Sequence, residues 1–163
     1  MDTRLIVAAL AVAGALLIYT LVLPGFAGPS GPQMTVRDAH AKAAAGEIVL
    51  VDIRTPEEWR ETGVPATAHA ITMHQDGRVL VAKLKAATAG DTSRPLALIC
   101  RTGNRSSHLQ AELAKAGFTN VIDVGEGMAG SRHGPGWLKA GLPRRTGAAV
   151  SMPPQITQRT EAR

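Results

Sequence analysis

The sequence predicts an α/β domain built around a parallel β-sheet. Short, continuous apolar runs alternate along the chain with segments whose apolar residues recur at helical spacing. Continuous runs are typical of strands buried on both faces, as in parallel sheets. Gly46, Gly63 and Gly117 each follow a helical segment and mark its end. With 163 residues, the chain has room for one domain of ordinary size.

The first predicted element is an apolar helix at residues 5–23, which contain no charged residue. Its length is close to the roughly 20 residues that span a bilayer. Gly25 and Ala27, after the helix-breaking Pro24, also resemble a signal cleavage site. Two interpretations of residues 1–27 therefore stay open: an uncleaved transmembrane anchor, or a signal peptide cleaved after Ala27.

Charge around this segment predicts its orientation. The α-amino group and Arg4 precede the segment, and no charged residue occurs from Leu21 to Val36. This asymmetry favours an N-terminus inside the cell and a main domain outside it. For a bacterial protein, we expect a domain anchored to the inner membrane and facing the periplasm, or a periplasmic protein after cleavage.

The main domain is predicted over residues 34–143, after a linker rich in Gly and Pro at residues 28–33. Its first helix covers residues 36–45, because Thr35 and Asp38 have the spacing of a capping box. A buried strand follows at residues 48–52. The run from Thr55 to Glu58 then starts a short helix, with a cap, a proline in the first turn and two carboxylates.

The rest of the domain continues this alternation of strands and helices. Strands are predicted at residues 68–73, 95–100 and 120–124, and helices at 77–88 and 106–116. Residues 144–163 contain four arginines, one glutamate and two adjacent prolines, without an apolar period. They predict a disordered basic tail.

Composition excludes several classes of function. The net charge of +5 is concentrated in the tail, no dense basic run occurs, and the 3 % of aromatic residues are not interleaved with basic ones, so we expect no nucleic-acid binding. A single cysteine excludes an intrachain disulfide and a Cys-rich zinc site. The histidines show no metal-ligand spacing with carboxylates, and we expect neither a metal nor a cofactor.

The segment from Cys100 to Arg105 is the strongest candidate site. It lies between a predicted buried strand and a predicted helix, where open α/β sheets form their sites. Backbone N–H groups of a loop that closes onto a helix N-terminus bind anions, and Gly103 permits the positive φ that such a loop needs. Arg101 and Arg105 add positive charge that favours the thiolate, which is the nucleophilic form of a cysteine. The alternative, a buried structural thiol, does not require two arginines and a glycine.

Three motifs together resemble a known family. The first is Val51-Asp52-Ile53-Arg54 followed by Glu58-Trp59. The second is the loop Cys100–Arg105, of the form Cys-Arg-x-Gly-x-Arg. The third is Trp137 followed by Ala140-Gly141-Leu142-Pro143. In this order and spacing, over about residues 34–143, they resemble the rhodanese family of single-domain sulfurtransferases.

The resemblance implies a three-layer fold with a five-stranded parallel sheet flanked by helices. It also implies that Cys100 takes a sulfane sulfur from an anionic donor such as thiosulfate, holds it as a persulfide, and passes it to cyanide or a thiol. The donor would be bound by the loop residues Arg101, Thr102, Gly103, Asn104 and Arg105. Asp52 and Arg54 are expected to form a supporting ion pair, and residues 128–136 resemble an insertion at the rim of the pocket.

Three alternatives stay open at this point. Tyrosine phosphatases use a Cys-x5-Arg loop, whereas Arg105 stands at Cys-x4-Arg, which disfavours that class. The domain is alternatively an exported sulfur carrier or redox-responsive module with little turnover of small molecules. Arg101 is the expected substrate contact, while Arg105 either shares that role or turns back to Asp52 or Glu58.

Overall fold

Four parallel strands form the central sheet of the computed structural model, which describes residues 31–152 and 154. The strands are β1 (Val49–Asp52), β3 (Ala68–Ala70), β4 (Leu96–Ile99) and β5 (Val121–Asp123), in the order β3-β1-β4-β5. β1 and β4 are central, and every residue of both is buried. Burial on both faces explains why these strands read as continuous apolar runs.

Helices cover both faces of this sheet. They are α1 (Val36–Ala44), α2 (Pro56–Thr62), α3 (Gly77–Ala87), α4 (Asn104–Lys115) and α5 (Gly136–Lys139). One core contains Val36 and Ala39 of α1 with Trp137 of α5, and the other contains Leu84 of α3 with Leu113 of α4. The domain therefore has three layers, and the α/β prediction is confirmed.

Helix starts follow the capping residues in the sequence. The side chain of Thr55 accepts from the N–H of Glu58, while the Glu58 carboxylate accepts from the N–H of Thr55, which completes a capping box at α2. Gly63 ends this helix with a φ of 77°. α4 begins at Asn104, two residues before its predicted start, so Arg105 lies in the first helical turn.

The number of strands in the sheet differs from the expected five. In the described part of the chain the sheet has four strands, and a parallel bridge of Gln33 with Asp123 occupies the outer edge beside β5. The Asp123 N–H donates to the carbonyl of Pro32 at 2.9 Å. Residues 32 and 33, predicted as linker, therefore belong to the edge of the domain.

The prediction of a disordered tail is wrong for residues 144–152. Arg144–Arg145 form β6, which pairs antiparallel with β2 (Val64–Pro65), and a 3₁₀ helix follows at Gly147–Ser151. The Arg145 side chain is 4 % exposed and donates to the carbonyls of Ala68 and Met152. β6 has only two residues, and the buried one is an arginine. Such a strand has no apolar period, so the sequence pattern did not predict it. Residues 153 and 155–163 of the predicted tail lie outside the described residues.

The predicted membrane segment is not part of the described structure. Residues 5–23 and the linker up to residue 30 lie outside the described ranges. Within residues 31–152, none of the helices combines the length and apolar character that crossing a bilayer requires. Anchor and cleaved signal both stay predictions.

Candidate active site

The carboxyl ends of the parallel strands meet at one edge of the sheet, as the sequence predicted. Cys100 directly follows β4, Asp52 ends β1 and Asp123 ends β5. β1 and β5 flank β4 on its two sides. The loop that begins at Cys100 is therefore placed between the loops that follow both neighbouring strands.

The Cys100 sulfur lies among hydrogen-bonding groups. The N–H of Gly103 donates to Sγ at 3.2 Å, and the Ser106 hydroxyl is 3.4 Å from Sγ. Ser106 also donates to the carbonyl of Gly103 at 3.0 Å, which accepts from the N–H of Ser107 as well. That carbonyl would keep the Ser107 N–H as a donor if the Ser106 hydroxyl turned to a thiolate. Sequence reasoning missed Ser106, since only the helical turn brings it back to the sulfur.

The thiol is almost fully covered. Cys100 is 1 % exposed, which leaves its sulfur nearly out of contact with solvent. The site therefore combines features of both interpretations of this cysteine: the burial of a structural thiol and the polar surroundings of a reactive one.

Glycines allow the loop to lie directly on its neighbour. Gly103 has a φ of 92°, and a Cβ there would stand 2.4 Å from the carbonyl oxygen of Gly125. Gly127 has a φ of 68°, and its Cβ would stand 2.5 Å from the carbonyl oxygen of Arg101. The positive φ predicted for Gly103 is confirmed, and the close backbone approach is a second reason for glycine there.

Arg105 is bound by a carboxylate of the protein. Its two terminal nitrogens donate to the two Glu58 oxygens, both at 2.7 Å, in a bidentate pair. Of the alternatives that the sequence left open, Arg105 therefore turns back, and its partner is Glu58 instead of Asp52. Hydrogen bonding from Arg105 is the main reason that the pKa of Glu58 is lowered from 4.5 to about 2. Hydrogen bonding to Glu58 is the main reason that the pKa of Arg105 is raised, and the neighbouring Cys100 side chain acts in the same direction.

Asp52 and Arg54 form the expected ion pair in the interior. Arg54 Nε and Nη2 donate to the two Asp52 oxygens at 2.9 and 2.7 Å, and the side chains are 2 % and 0 % exposed. Arg54 also donates to the Gly63 carbonyl at 2.6 Å and to the Thr62 hydroxyl at 2.7 Å. Burial raises the pKa of Asp52, although Arg54 acts in the opposite direction. The pair ties the end of α2 to β1 and fits the predicted supporting role.

The other loop residues face solvent. Thr102, Asn104 and Arg101 are exposed, and the Arg101 guanidinium has no hydrogen bond or ion pair with a described residue. Arg101 lines a depression of about 120 Å³ beside the loop, whereas Cys100 does not line it. Of the two loop arginines, Arg101 is thus the one whose charge is open to a substrate.

A buried carboxylate that the sequence did not single out supports the next loop. Glu126 is 5 % exposed and accepts from the N–H groups of Val36 at 3.1 Å and Gly136 at 3.2 Å. It thereby satisfies amides at the starts of α1 and α5. A lone acidic residue between glycines has no periodic signal that would predict this contact. Among the described residues, no group of three or more His, Cys, Asp or Glu is placed to hold a metal ion.

The chain matches known proteins over the same region. Residues 35–132 match the family described as Rhodanese-like domain. An uncharacterised protein of Rickettsia prowazekii, RP600, is 27 % identical over 104 residues, covering 58 % of this chain and 80 % of that protein. The thiosulfate sulfurtransferase GlpE of Pseudomonas syringae is 30 % identical over 80 residues, covering 49 % of this chain and 68 % of that protein.

Solved structures agree with the fold. The rhodanese-like domain of the Anabaena protein Alr3790 superposes with a TM-score of 0.55 at 19 % identity, covering 81 % of this chain and 91 % of that domain. Rv0390 of M. tuberculosis gives a TM-score of 0.52 at 30 % identity, covering 72 % of this chain and 98 % of that protein.

The Glu58–Arg105 pair gives stability a defined pH dependence. The pKa of Glu58 is below its unfolded value, so the stabilisation is complete above about pH 4.5 and is lost as the pH falls towards about 2. We expect Glu58→Gln to have a lower free energy of unfolding than the wild type at neutral pH. The difference should shrink between pH 4.5 and 2, as measured by urea unfolding across that range.

Glu57→Gln is the matched control, because Glu57 lies on the same helix and its pair with Arg60 is exposed. Its effect should be small at every pH. A difference for Glu58→Gln that stays constant from neutral pH to the acid limit would contradict a stabilising pair.

Proposed function

The chain belongs to the rhodanese-like domain family, and on this premise we propose that it is a sulfurtransferase that uses Cys100 as its nucleophile. The observation that carries the proposal is the position of the Cys100 sulfur, 3.2 Å from the Gly103 N–H in a loop that closes onto the start of α4. Amide hydrogen bonding at a helix N-terminus stabilises a thiolate. The similarity to a thiosulfate sulfurtransferase supports the same activity.

In the first half-reaction, the Cys100 thiolate attacks the outer sulfur of a donor such as thiosulfate. A bond forms between Sγ and that sulfur, the original S–S bond of the donor breaks, and its electron pair leaves with sulfite. The result is a persulfide on Cys100. The Gly103 N–H and the Ser106 hydroxyl contact Sγ, and Arg101 offers its charge to the departing anion.

In the second half-reaction, an acceptor removes the sulfur. Cyanide attacks the outer sulfur of the persulfide, thiocyanate leaves, and the electron pair of the broken S–S bond returns to Cys100 as a thiolate. A thiol acceptor reacts in the same way and becomes a persulfide. No oxidant or reductant is consumed, and the enzyme alternates between two covalent states.

The burial of Cys100 favours a second candidate function. With 1 % exposure, the thiol is poorly placed for rapid exchange with free small molecules. An exported sulfur carrier that opens only to a partner protein would have such a thiol. The two functions differ in one respect: the carrier forms the persulfide but turns over slowly with thiosulfate and cyanide.

The persulfide itself is directly measurable. After incubation with thiosulfate, the intact mass of the protein should increase by one sulfur atom, and Cys100→Ser should show neither this increase nor thiocyanate formation. Because the chain has one cysteine, normal transfer by the serine variant would refute the sulfurtransferase proposal. A mass increase without steady-state turnover would identify the carrier.

The two loop arginines should differ in function. Arg101→Gln should lower kcat/KM for thiosulfate by roughly ten- to a hundredfold, since a charge-assisted hydrogen bond is worth about 1.5–3 kcal/mol. The same substitution should lower kcat/KM less for a neutral persulfide donor. Arg105→Gln should instead lower the melting temperature and leave the donor preference unchanged, because Glu58 binds its guanidinium.

Arg78→Gln is the matched control for the change in net charge, since its side chain is 96 % exposed on α3. This substitution should leave kcat/KM unchanged for both donors. An unchanged donor preference in Arg101→Gln would mean that the loop binds sulfur through its backbone alone.

We propose that the domain lies outside the inner membrane, on the basis of the uncharged segment 5–23 and Arg4. An alkaline phosphatase fused after Arg163 should then be active, because that reporter needs an oxidising compartment. Activity of a cytoplasm-only reporter at the same position would contradict this location. Carbonate extraction distinguishes an anchored chain from a cleaved one, which should start at Gly28.

A further inference from the structure

A small pocket beside the Cys100 loop is bordered by groups of opposite charge. It has a volume of about 120 Å³, and its apolar lining comes from Met128, Ala129 and Leu138. Its polar lining comes from α2 and its flanks and from the loop: Arg54, Glu58, Glu61, Thr62 and Arg101.

Two of the four charges in this lining are neutralised within the protein. Arg54 pairs with Asp52, and Glu58 pairs with Arg105. Arg101 and Glu61 remain, both exposed, and neither side chain has a hydrogen bond or ion pair with a described residue. The pocket lining therefore includes one open cation and one open anion together with apolar side chains.

The pocket lies beside the backbone of Cys100 and has room for a small molecule only. Arg101 follows Cys100 in the chain, and the N–H of Met128 donates to the Cys100 carbonyl at 2.8 Å. The volume is well below the roughly 300–1,000 Å³ of pockets that hold drug-sized ligands. A molecule with a carboxylate, a short apolar stem and an ammonium group complements this lining in charge and size.

We propose that the sulfur acceptor is a zwitterionic thiol of the amino-acid type, with Arg101 binding its carboxylate and Glu61 its ammonium group. The inference rests on the proposed sulfurtransferase function and names the acceptor for the same site. The thiolate of the acceptor attacks the outer sulfur of the protonated Cys100 persulfide. The new S–S bond leaves with the acceptor as its persulfide, and the electron pair of the broken bond returns to Sγ.

Four small thiols allow the carboxylate contact and the ammonium contact to be tested separately. Cysteine carries both charges, 3-mercaptopropionate only the carboxylate, cysteamine only the ammonium group, and 2-mercaptoethanol neither. The protein is first converted to the persulfide with thiosulfate and freed of donor, and the single-turnover loss of the added sulfur is then followed by intact mass. Dividing each rate constant by that of the wild type with the same thiol cancels intrinsic thiol reactivity.

We expect a crossed pattern, in which the two substitutions slow different pairs of thiols that share only cysteine. Glu61→Gln should slow cysteine and cysteamine by roughly two- to fivefold relative to the other two thiols, as for an exposed ion pair. Arg101→Gln should slow cysteine and 3-mercaptopropionate to a similar degree relative to the other two. Glu57→Gln is the matched control on the same helix, since Glu57 pairs with Arg60 and does not line the pocket; it should show no pattern among the thiols.

Other outcomes overturn the inference. If Glu61→Gln slows all four thiols equally, or none, the acceptor is not selected by its ammonium group. If the persulfide forms but the crossed pattern is absent, the acceptor assignment fails and the sulfurtransferase proposal stands. If neither thiosulfate nor inorganic polysulfide adds sulfur to Cys100, both fail together.

Discussion

The close contact between the backbones of two loops is the constraint on which the site depends. The loop after β4 carries Cys100, and the loop after β5 lies against it through Gly125 and Gly127. Any side chain at Gly103 or Gly127 would meet a carbonyl oxygen of the opposite loop at 2.4–2.5 Å. The turn that requires the positive φ of Gly103 also places its N–H 3.2 Å from Sγ. A hydrogen-bond donor is therefore in place beside Sγ before any substrate arrives.

Charge pairing decides which groups of this framework are available for chemistry. Arg54 and Asp52 are buried together, and a buried pair is costly to break because one partner would be left as an unpaired charge. Glu58 does two tasks at once: it caps the start of α2 and holds Arg105. Together the two pairs fasten α2 to β1 and to the Cys100 loop. Arg101, next to Cys100, is left with an unengaged charge.

The covered thiol and the open arginine together describe a site with two parts. The sulfur is held among the Gly103 amide and the Ser106 hydroxyl, almost without solvent, where electrostatic interactions are strong. The neighbouring depression is open to solvent and bears Arg101. In the mechanism proposed above, this cover would protect a persulfide on Cys100 from unwanted thiols. An adjoining surface with its own charges can then select which molecule receives the sulfur.

Local patterns in the sequence predicted most elements of this domain and its candidate nucleophile. Caps at Thr35 and Thr55, glycine stops and continuous apolar runs are short-range signals, and each predicted element occurs within a few residues of its expected place. The loop from Cys100 to Arg105 could likewise be recognised, because a cysteine, a glycine and two arginines in six residues form a local pattern.

Only the tertiary structure decided which distant groups meet. Glu58 and Arg105 are 47 positions apart, and Asp52 was an equally reasonable partner until the packing of α2 brought Glu58 to the loop. The burial of Arg145 and Glu126 follows from carbonyls and amides supplied by other elements. A single polar residue gives no periodic signal of burial, because the partners that make its burial favourable are set by the fold and not by its neighbours in the chain.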